Sequence, residues 1–131
     1  MNESIIVSSV IPARREKIYK AWLNSREHSA FTGSGATVSN RKGGKFTAWD
    51  GYISGKNLEL HPYERIVQAW RTTEFSDNDP DSVLEVILEE HKDGTKVTLK
   101  HNNIPKGQGK EYKKGWMDFY FNPMKEYFGK G

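Results

Sequence analysis

Apolar and polar residues alternate along much of this chain, and the pattern is clearest between Gly43 and Arg71. Because successive side chains of a strand point to opposite faces of a sheet, the alternation predicts three consecutive antiparallel strands. An Asp50-Gly51 pair separates the first two strands, and Asp-Gly favours a two-residue hairpin turn. This turn places Ala48 opposite Ile53 and directs Trp49 to the other face of the sheet, where an exposed indole would mark a surface for a protein partner.

The second strand of this run contains an irregularity. Leu58 and Leu60 do not continue the alternation that Ile53 and Gly55 begin. An extra residue near Lys56-Asn57 accounts for the change, because a bulge of one residue reverses every later side chain and bends the strand.

A second hairpin is predicted around the Asp93-Gly94 pair. In this register Leu88 lies opposite Leu99. Glu90 then lies opposite Val97, and both side chains face inward. One face of the hairpin is therefore apolar and buried, whereas the other is mostly in water.

The segments outside the hairpins complete the predicted element order. A strand is expected at 3–10, then a short helix that begins at Pro12, a second short helix at Ser25–Phe31 and a strand at 36–40. Proline has its φ angle preset for the first turn of a helix, which is the reason for starting the first helix there.

The last segment, Gly109–Phe128, carries aromatic residues at spacings of three and four, which predicts a long amphipathic helix of roughly 30 Å. Pro123 lacks an N–H group and clashes with the carbonyl four residues earlier, so we expect a kink or a break at 119–123. The chain as a whole is expected to be α+β, with a curved antiparallel sheet of six to seven strands wrapped around this helix.

Such a sheet and helix commonly enclose an apolar cavity that can hold a ligand. The residues expected to line it are Phe46, Ile53, Ile66, Gln68, Trp70, Val86, Leu88, Val97, Leu99, His101, Trp116 and Tyr120. Gln68, Glu90, His101 and Tyr120 are the inward-facing polar groups. Each is more simply explained by packing and hydrogen bonding than by catalysis.

Composition limits the classes of function. The 131 residues and the hydrophobic content of 35% suit a single domain that covers residues 1–131. The net charge of +3 is small, and the basic clusters at 14–20 and 106–114 are interpreted as solvated surface, not as a nucleic-acid interface. The lack of cysteine, of an export signal and of a membrane span favours a cytoplasmic protein.

The sequence shows no metal or cofactor motif. The four histidines are scattered, without the helical spacing of a ligand pair. The acidic stretch Asp77–Asp81 resembles the start of a calcium loop, but Ser82 occupies the position that requires glycine, and Leu88 the position that requires glutamate. We therefore expect no metal and no cofactor.

Several short motifs together resemble one known family. They are Ala30-Phe31-Thr32, Gly43-Gly44-Lys45-Phe46, Asp50-Gly51, Ser54-Gly55, Pro62, Ile66-Val67, Trp70-Arg71, Gly115-Trp116 and Tyr120-Phe121. The chain is similar over nearly its whole length to the activators of the heat-shock-protein-90 ATPase, whose C-terminal domain has the START-like, helix-grip fold of the SRPBCC superfamily.

This resemblance implies a non-catalytic binding protein with a chaperone as its partner and a role in the stress response. One alternative is a carrier or sensor of a small hydrophobic ligand in the cavity. The other is a polyketide cyclase-like enzyme that acts through Tyr120, His101 or Glu90, as in some relatives of the fold.

Overall fold

The computed structural model describes residues 2–129. Its elements, in chain order, are β1 (Glu3–Ile11), α1 (Arg15–Trp22), α2 (Ser25–Thr32), β2 (Thr37–Val38), β3 (Lys45–Ala48), β4 (Ile53–His61), β5 (Arg65–Thr72), β6 (Ser82–His91), β7 (Gly94–Ile104), α3 (Gly109–Gly115), a π-helical turn (Trp116–Phe121) and α4 (Asn122–Gly129).

All seven strands form one antiparallel sheet in the order β1-β7-β6-β5-β4-β3-β2. Neighbours in the sheet are neighbours in sequence, except that β1 pairs with β7. The helices lie on the apolar face of this sheet, and the core fills the space between them. The α+β helix-grip fold predicted from the sequence is confirmed.

The register of the first hairpin is confirmed, since Ala48 pairs with Ile53 and Phe46 with Gly55. The bulge in β4 is also confirmed, because the pairing with β5 shifts between Asn57 and Glu59. Both features follow from local sequence, namely the Asp-Gly turn and the change of apolar parity.

The register of the second hairpin is wrong by two residues. Leu88 pairs with Val97 and Glu90 with Thr95, and the turn consists of the two residues before Gly94. Gly94 packs so closely on the end of β1 that a Cβ there would lie 2.1 Å from the Ile11 carbonyl oxygen. Gly94 also has a φ of 135°, so both the backbone at the end of the turn and the packing on β1 require glycine. A shift of two residues leaves every side chain on its predicted face.

The first helix begins at Arg15 and not at Pro12. The Ala13 N–H donates to the Ile11 carbonyl at 2.8 Å, and Arg14 is extended, so this proline belongs to the connection out of β1. The second helix ends where predicted, at Thr32, with Gly33 in the left-handed region.

The C-terminal helical segment runs from Gly109 to Gly129 without a break. Pro123 cannot donate a hydrogen bond to the carbonyl of Phe119, and the wider π-helical turn Trp116–Phe121 precedes it. The irregularity predicted at 119–123 is therefore a change of helix type.

Candidate functional site: an aromatic pocket at one end of the sheet

An open pocket of about 440 Å³ lies between the C-terminal helical segment and the β3–β4 end of the sheet. It is lined by Ser34, Trp49, Asp50, Tyr52, Ile53, Trp70, Glu111, Tyr112, Gly115, Trp116, Phe119 and Tyr120. The π-helical turn supplies Trp116, Phe119 and Tyr120 to the wall, and π-helical turns occur frequently at functional sites. Its volume falls within the range of small-molecule sites.

The structure places Ile53, Trp70, Trp116 and Tyr120 on the pocket wall, and their role in ligand binding remains a prediction. The other residues expected to line the cavity lie outside this pocket. Phe46, Ile66, Gln68, Val86, Leu88, Val97, Leu99 and His101 are buried in the core and do not line the pocket.

The indole of Trp22 packs in the core beside two residues of the pocket wall. This side chain of α1 is buried, and its ring centroid lies 5.2 Å from that of Tyr120 and 6.4 Å from that of Trp116. Its N–H donates to Gln68 at 3.3 Å, and the Gln68 amide donates to Asn57 at 2.9 Å. The polar groups in this part of the core thus bind one another.

Trp49 does not face the outer side of the sheet, so that prediction is wrong. Trp49 and Asp50 both have left-handed backbone, with φ values of 53° and 56°, which takes the indole out of the strand pleat. The indole lies on the face of the sheet that carries the helices, and its ring centroid is 5.6 Å from that of Phe119. A role for Trp49 in partner binding is untested and stays a prediction.

Tyr120, which lines the pocket, is hydrogen-bonded to His28, which does not line it. The Nδ1 of His28 lies 2.9 Å from the Trp22 carbonyl oxygen, so this nitrogen carries the proton. Its Nε2 then accepts from the Tyr120 hydroxyl at 2.9 Å. Burial lowers the pKa of His28 to about 4 and raises that of Tyr120, so both groups are neutral near pH 7.

His101 lies in a separate chain of hydrogen bonds. Its Nδ1 accepts from the Trp116 indole at 3.2 Å, and its Nε2 therefore donates to the Ser82 hydroxyl at 2.8 Å. Ser82 in turn donates to the Trp70 carbonyl at 2.6 Å. Burial lowers the pKa of His101 to about 3, and this network holds two pocket residues in place.

Three exposed or half-buried aromatic side chains surround the pocket mouth. Phe119 is 55% exposed and Tyr52 is 37% exposed, while Trp49 is half-buried. The Tyr52 hydroxyl donates to the carboxylate of Glu74, and burial together with this bond raises the pKa of Tyr52. Large rings held at the mouth of a concave site are typical of a binding surface.

Carboxylates also lie at this mouth. Asp50 accepts from the Ser34 hydroxyl and from the Gly35 N–H, each at 3.0 Å, and so joins the β3–β4 turn to the segment after α2. Glu111 lines the opposite side of the pocket, on α3. The lining is thus aromatic inside and acidic at its edge.

The three candidate catalytic residues do not form one cluster. Glu90 is exposed and pairs with Arg15 at 3.4 Å, His101 is bound to Ser82 and Trp116, and Tyr120 is bound to His28. Within residues 2–129, no group of three or more His, Asp or Glu side chains is arranged to hold a metal ion. The same residues contain no helix with the length and apolar character needed to cross a membrane.

Sequence reasoning assigned no pocket role to Ser34, Tyr52, Tyr112, Phe119 and His28. The helical spacing from Trp116 placed Tyr112 and Phe119 on the same aromatic face and could have identified them. Tyr52 and Ser34 lie in turns, where no periodicity applies. His28 meets Tyr120 only through packing of distant segments.

Comparison with known proteins identifies the family. The family model described as Activator of Hsp90 ATPase homolog 1-like protein matches residues 12–129. The chain belongs to this family. The family is named for activation of an ATPase and not for a reaction of its own.

Two curated relatives are longer than this chain. The chain is 28% identical over 116 residues to the human activator of 90 kDa heat shock protein ATPase homolog 1. The aligned region covers 88% of this chain and 34% of the relative. It is 31% identical over 110 residues to the Dictyostelium discoideum homolog, and this aligned region covers 84% of this chain and 29% of the relative. The chain thus spans about a third of the length of these proteins.

Solved structures share the whole domain. An HSP90 activator from Plasmodium falciparum superposes with a TM-score of 0.88 at 26% identity, over 96% of both chains. CalU16 from Micromonospora echinospora superposes with a TM-score of 0.78 at 24% identity, over 95% of this chain and 73% of the other, and this similarity shows the fold alone.

Proposed function

We propose that the chain is a non-catalytic binding protein of the cytoplasm that contacts an Hsp90-type chaperone and modulates its ATPase. The observation that carries this proposal is the similarity to the Plasmodium HSP90 activator over 96% of both chains, together with the family match over residues 12–129. The family match covers residues 12–129 of the described residues 2–129, and this extent supports the proposal that the binding surface lies within this domain.

The pocket mouth is the proposed contact surface. Aromatic side chains that are partly exposed and held by neighbours contribute most to protein interfaces, because they bury a large area at little entropic cost. Trp49 and Phe119 contact each other at the mouth, and Tyr52 is held by Glu74. An apolar segment of the chaperone could bury these three rings together.

The experiment measures the ATPase rate of the purified Hsp90-type chaperone of the same organism, with and without the chain. We expect the ATPase rate to change as the chain is added and to reach a plateau. We expect Trp49→Ala to raise the concentration needed for half of this effect about tenfold or more. Ile6→Ala is the matched control, because Ile6 is an exposed apolar residue on β1, away from the mouth.

Two results would contradict the proposal. The first is an unchanged ATPase rate combined with no detectable binding by calorimetry. The second is an equal loss for both variants, which would place the contact elsewhere on the domain. Circular dichroism of each variant ensures that a loss does not come from unfolding.

A second candidate function is supported by the pocket itself. A volume of about 440 Å³ surrounded by apolar rings suits a carrier or sensor of a small hydrophobic ligand. Gly115 lines the pocket, and a Cβ there would meet only Phe119, at 3.7 Å. We expect Gly115→Leu to fill the space and abolish ligand binding, as measured by native mass spectrometry of the purified protein, while Gly115→Ala retains it.

A further inference from the structure

The charge of the pocket lining differs from that of the chain. The whole chain has a net charge of +3. Among the lining residues in the described part of the chain, Asp50 and Glu111 carry negative charge and none is Lys, Arg or His. A third carboxylate, Glu74, is bound to the hydroxyl of Tyr52. An apolar ligand alone gives no reason for this distribution.

The aromatic rings of the pocket wall form two groups. Trp116 lies 5.5 Å from Trp70 and 4.8 Å from Tyr120, measured between ring centroids. Trp49 and Phe119 form the second group, with 5.6 Å between their centroids at an angle of 69°. Rings in different orientations around one space present both faces and edges to a ligand.

Faces of tryptophan and tyrosine attract cations through the ring quadrupole, and the attraction is strongest where water is excluded. A quaternary or aromatic ammonium group is well suited to such a space, because its charge is spread over apolar carbon and costs little to desolvate. A compact, strongly hydrated ion would lose more hydration than the rings replace.

We propose that the pocket binds an organic cation, a quaternary or aromatic ammonium group attached to an aromatic or aliphatic body. The body contacts the rings of Trp70, Trp116 and Tyr120, and the cation lies toward the carboxylates of Asp50 and Glu111. This inference rests on the second candidate function, ligand binding in the pocket, and it names the class of ligand.

The carboxylates of Asp50 and Glu111 differ in how many hydrogen bonds hold them in place. Asp50 is fixed by its bonds to Ser34 and Gly35, so its charge stays at the pocket edge. Glu111 projects from α3, is exposed and can be changed without removing a hydrogen bond that joins two elements. Glu111→Gln is therefore the conservative variant that tests the charge.

The experiment compares two probes of the same shape, phenyltrimethylammonium and its neutral isostere tert-butylbenzene. Each is titrated into the isotopically labelled protein below its solubility limit, and NMR shifts of the pocket residues give the affinity. Glu111→Gln is compared with Glu89→Gln, which removes an exposed carboxylate of β6 outside the pocket.

We expect the cation to bind at least about tenfold more tightly than the isostere. We expect Glu111→Gln to weaken the binding of the cation about threefold to tenfold and to leave the affinity for the isostere unchanged. The same substitution should reduce the dependence of cation binding on salt concentration. Glu89→Gln should change the affinity for neither probe. Binding of the isostere as tightly as the cation overturns the cation inference and leaves the carrier function standing. Binding of neither probe overturns the cation inference, and the mass-spectrometric test with Gly115→Leu then decides the carrier function separately.

Discussion

Two histidines are neutral in the folded core, and neither can be protonated without losing a partner. His28 uses Nε2 to accept from Tyr120, and His101 uses Nδ1 to accept from Trp116. A proton on either accepting nitrogen would face another donor. Burial lowers the pKa of His28 to about 4 and that of His101 to about 3.

This predicts a loss of stability in mild acid. Between about pH 6.5 and 4 the unfolded chain binds protons at these histidines and the folded chain does not, so the free energy of unfolding falls as the pH falls. Each histidine contributes a slope of about 1.4 kcal/mol per pH unit in this range. Urea denaturation followed by tryptophan fluorescence, between about pH 7 and 5, measures it.

His28→Gln tests the assignment. The variant should lower the slope by the share of one histidine, although it also lowers the stability at neutral pH because it breaks the bond to Tyr120. A slope that is flat in the wild type, or unchanged in the variant, would show that the pKa of His28 is not lowered in the folded state.

Tyr120→Phe separates hydrogen bonding from ring packing at the pocket wall. The ring of Tyr120 remains against Trp22, but the hydroxyl that satisfies His28 is lost. We expect a loss of about 1–3 kcal/mol in the free energy of unfolding, because a buried acceptor is left without a donor. A loss below about 0.5 kcal/mol would mean that the bond contributes little.

Individual side chains were the least predictable level of this protein. The direction of Trp49 depends on two left-handed residues, one of them a tryptophan, which an Asp-Gly motif does not indicate. The pairing of His28 with Tyr120 joins residues 92 positions apart, and no periodicity connects them. Both features arise from packing between elements.

At the scale of elements, the sequence predicts strands and turns better than it predicts the positions of single side chains. The β4 strand shows the reason, since Gly55 faces Phe46 across the hairpin and also packs on β5. A Cβ at this position would lie 1.8 Å from the Ala69 carbonyl oxygen and 2.8 Å from the Phe46 ring. Only glycine permits this close approach.

Gly55→Ala is therefore expected to destabilise the fold by about 2 kcal/mol or more, because backbone must move to admit the methyl group. Gly115→Ala is the matched control, since the new methyl group would make only an ordinary contact with Phe119. A helix gains about 0.5–1 kcal/mol from this replacement. Thermal unfolding of both variants checks the pair, and equal stability of the two would contradict the packing described for β4.

The same scale explains where sequence reasoning failed. The Asp-Gly pair predicts a turn that contains Gly94, whereas Gly94 follows the two turn residues, and both its φ of 135° and its contact with Ile11 require glycine. The Pro123 irregularity was located correctly, but a π-helical turn and a break have the same sequence signal. Local motifs thus predict where an element changes and not which neighbour causes the change.

At the scale of the whole molecule, alternation and helical spacing predicted the sheet, its antiparallel order and the helix against it. They could not predict how much of the enclosed space is filled. That depends on the packing of side chains such as Trp22, which reaches from α1 to Gln68 on β5. The open space that remains lies at one end, between the π-helical turn and the β3–β4 turn.

At this scale we propose that the domain binds an Hsp90-type chaperone through the pocket mouth. The most direct measurement is an NMR titration of the labelled domain with the unlabelled chaperone of the same organism, with resonances assigned along the chain. We predict that signals at 49–52 and at Phe119 shift or broaden first, and that those around Ile6 on the outer face of β1 do not. No change at any signal, or changes confined to the outer face, would contradict the account.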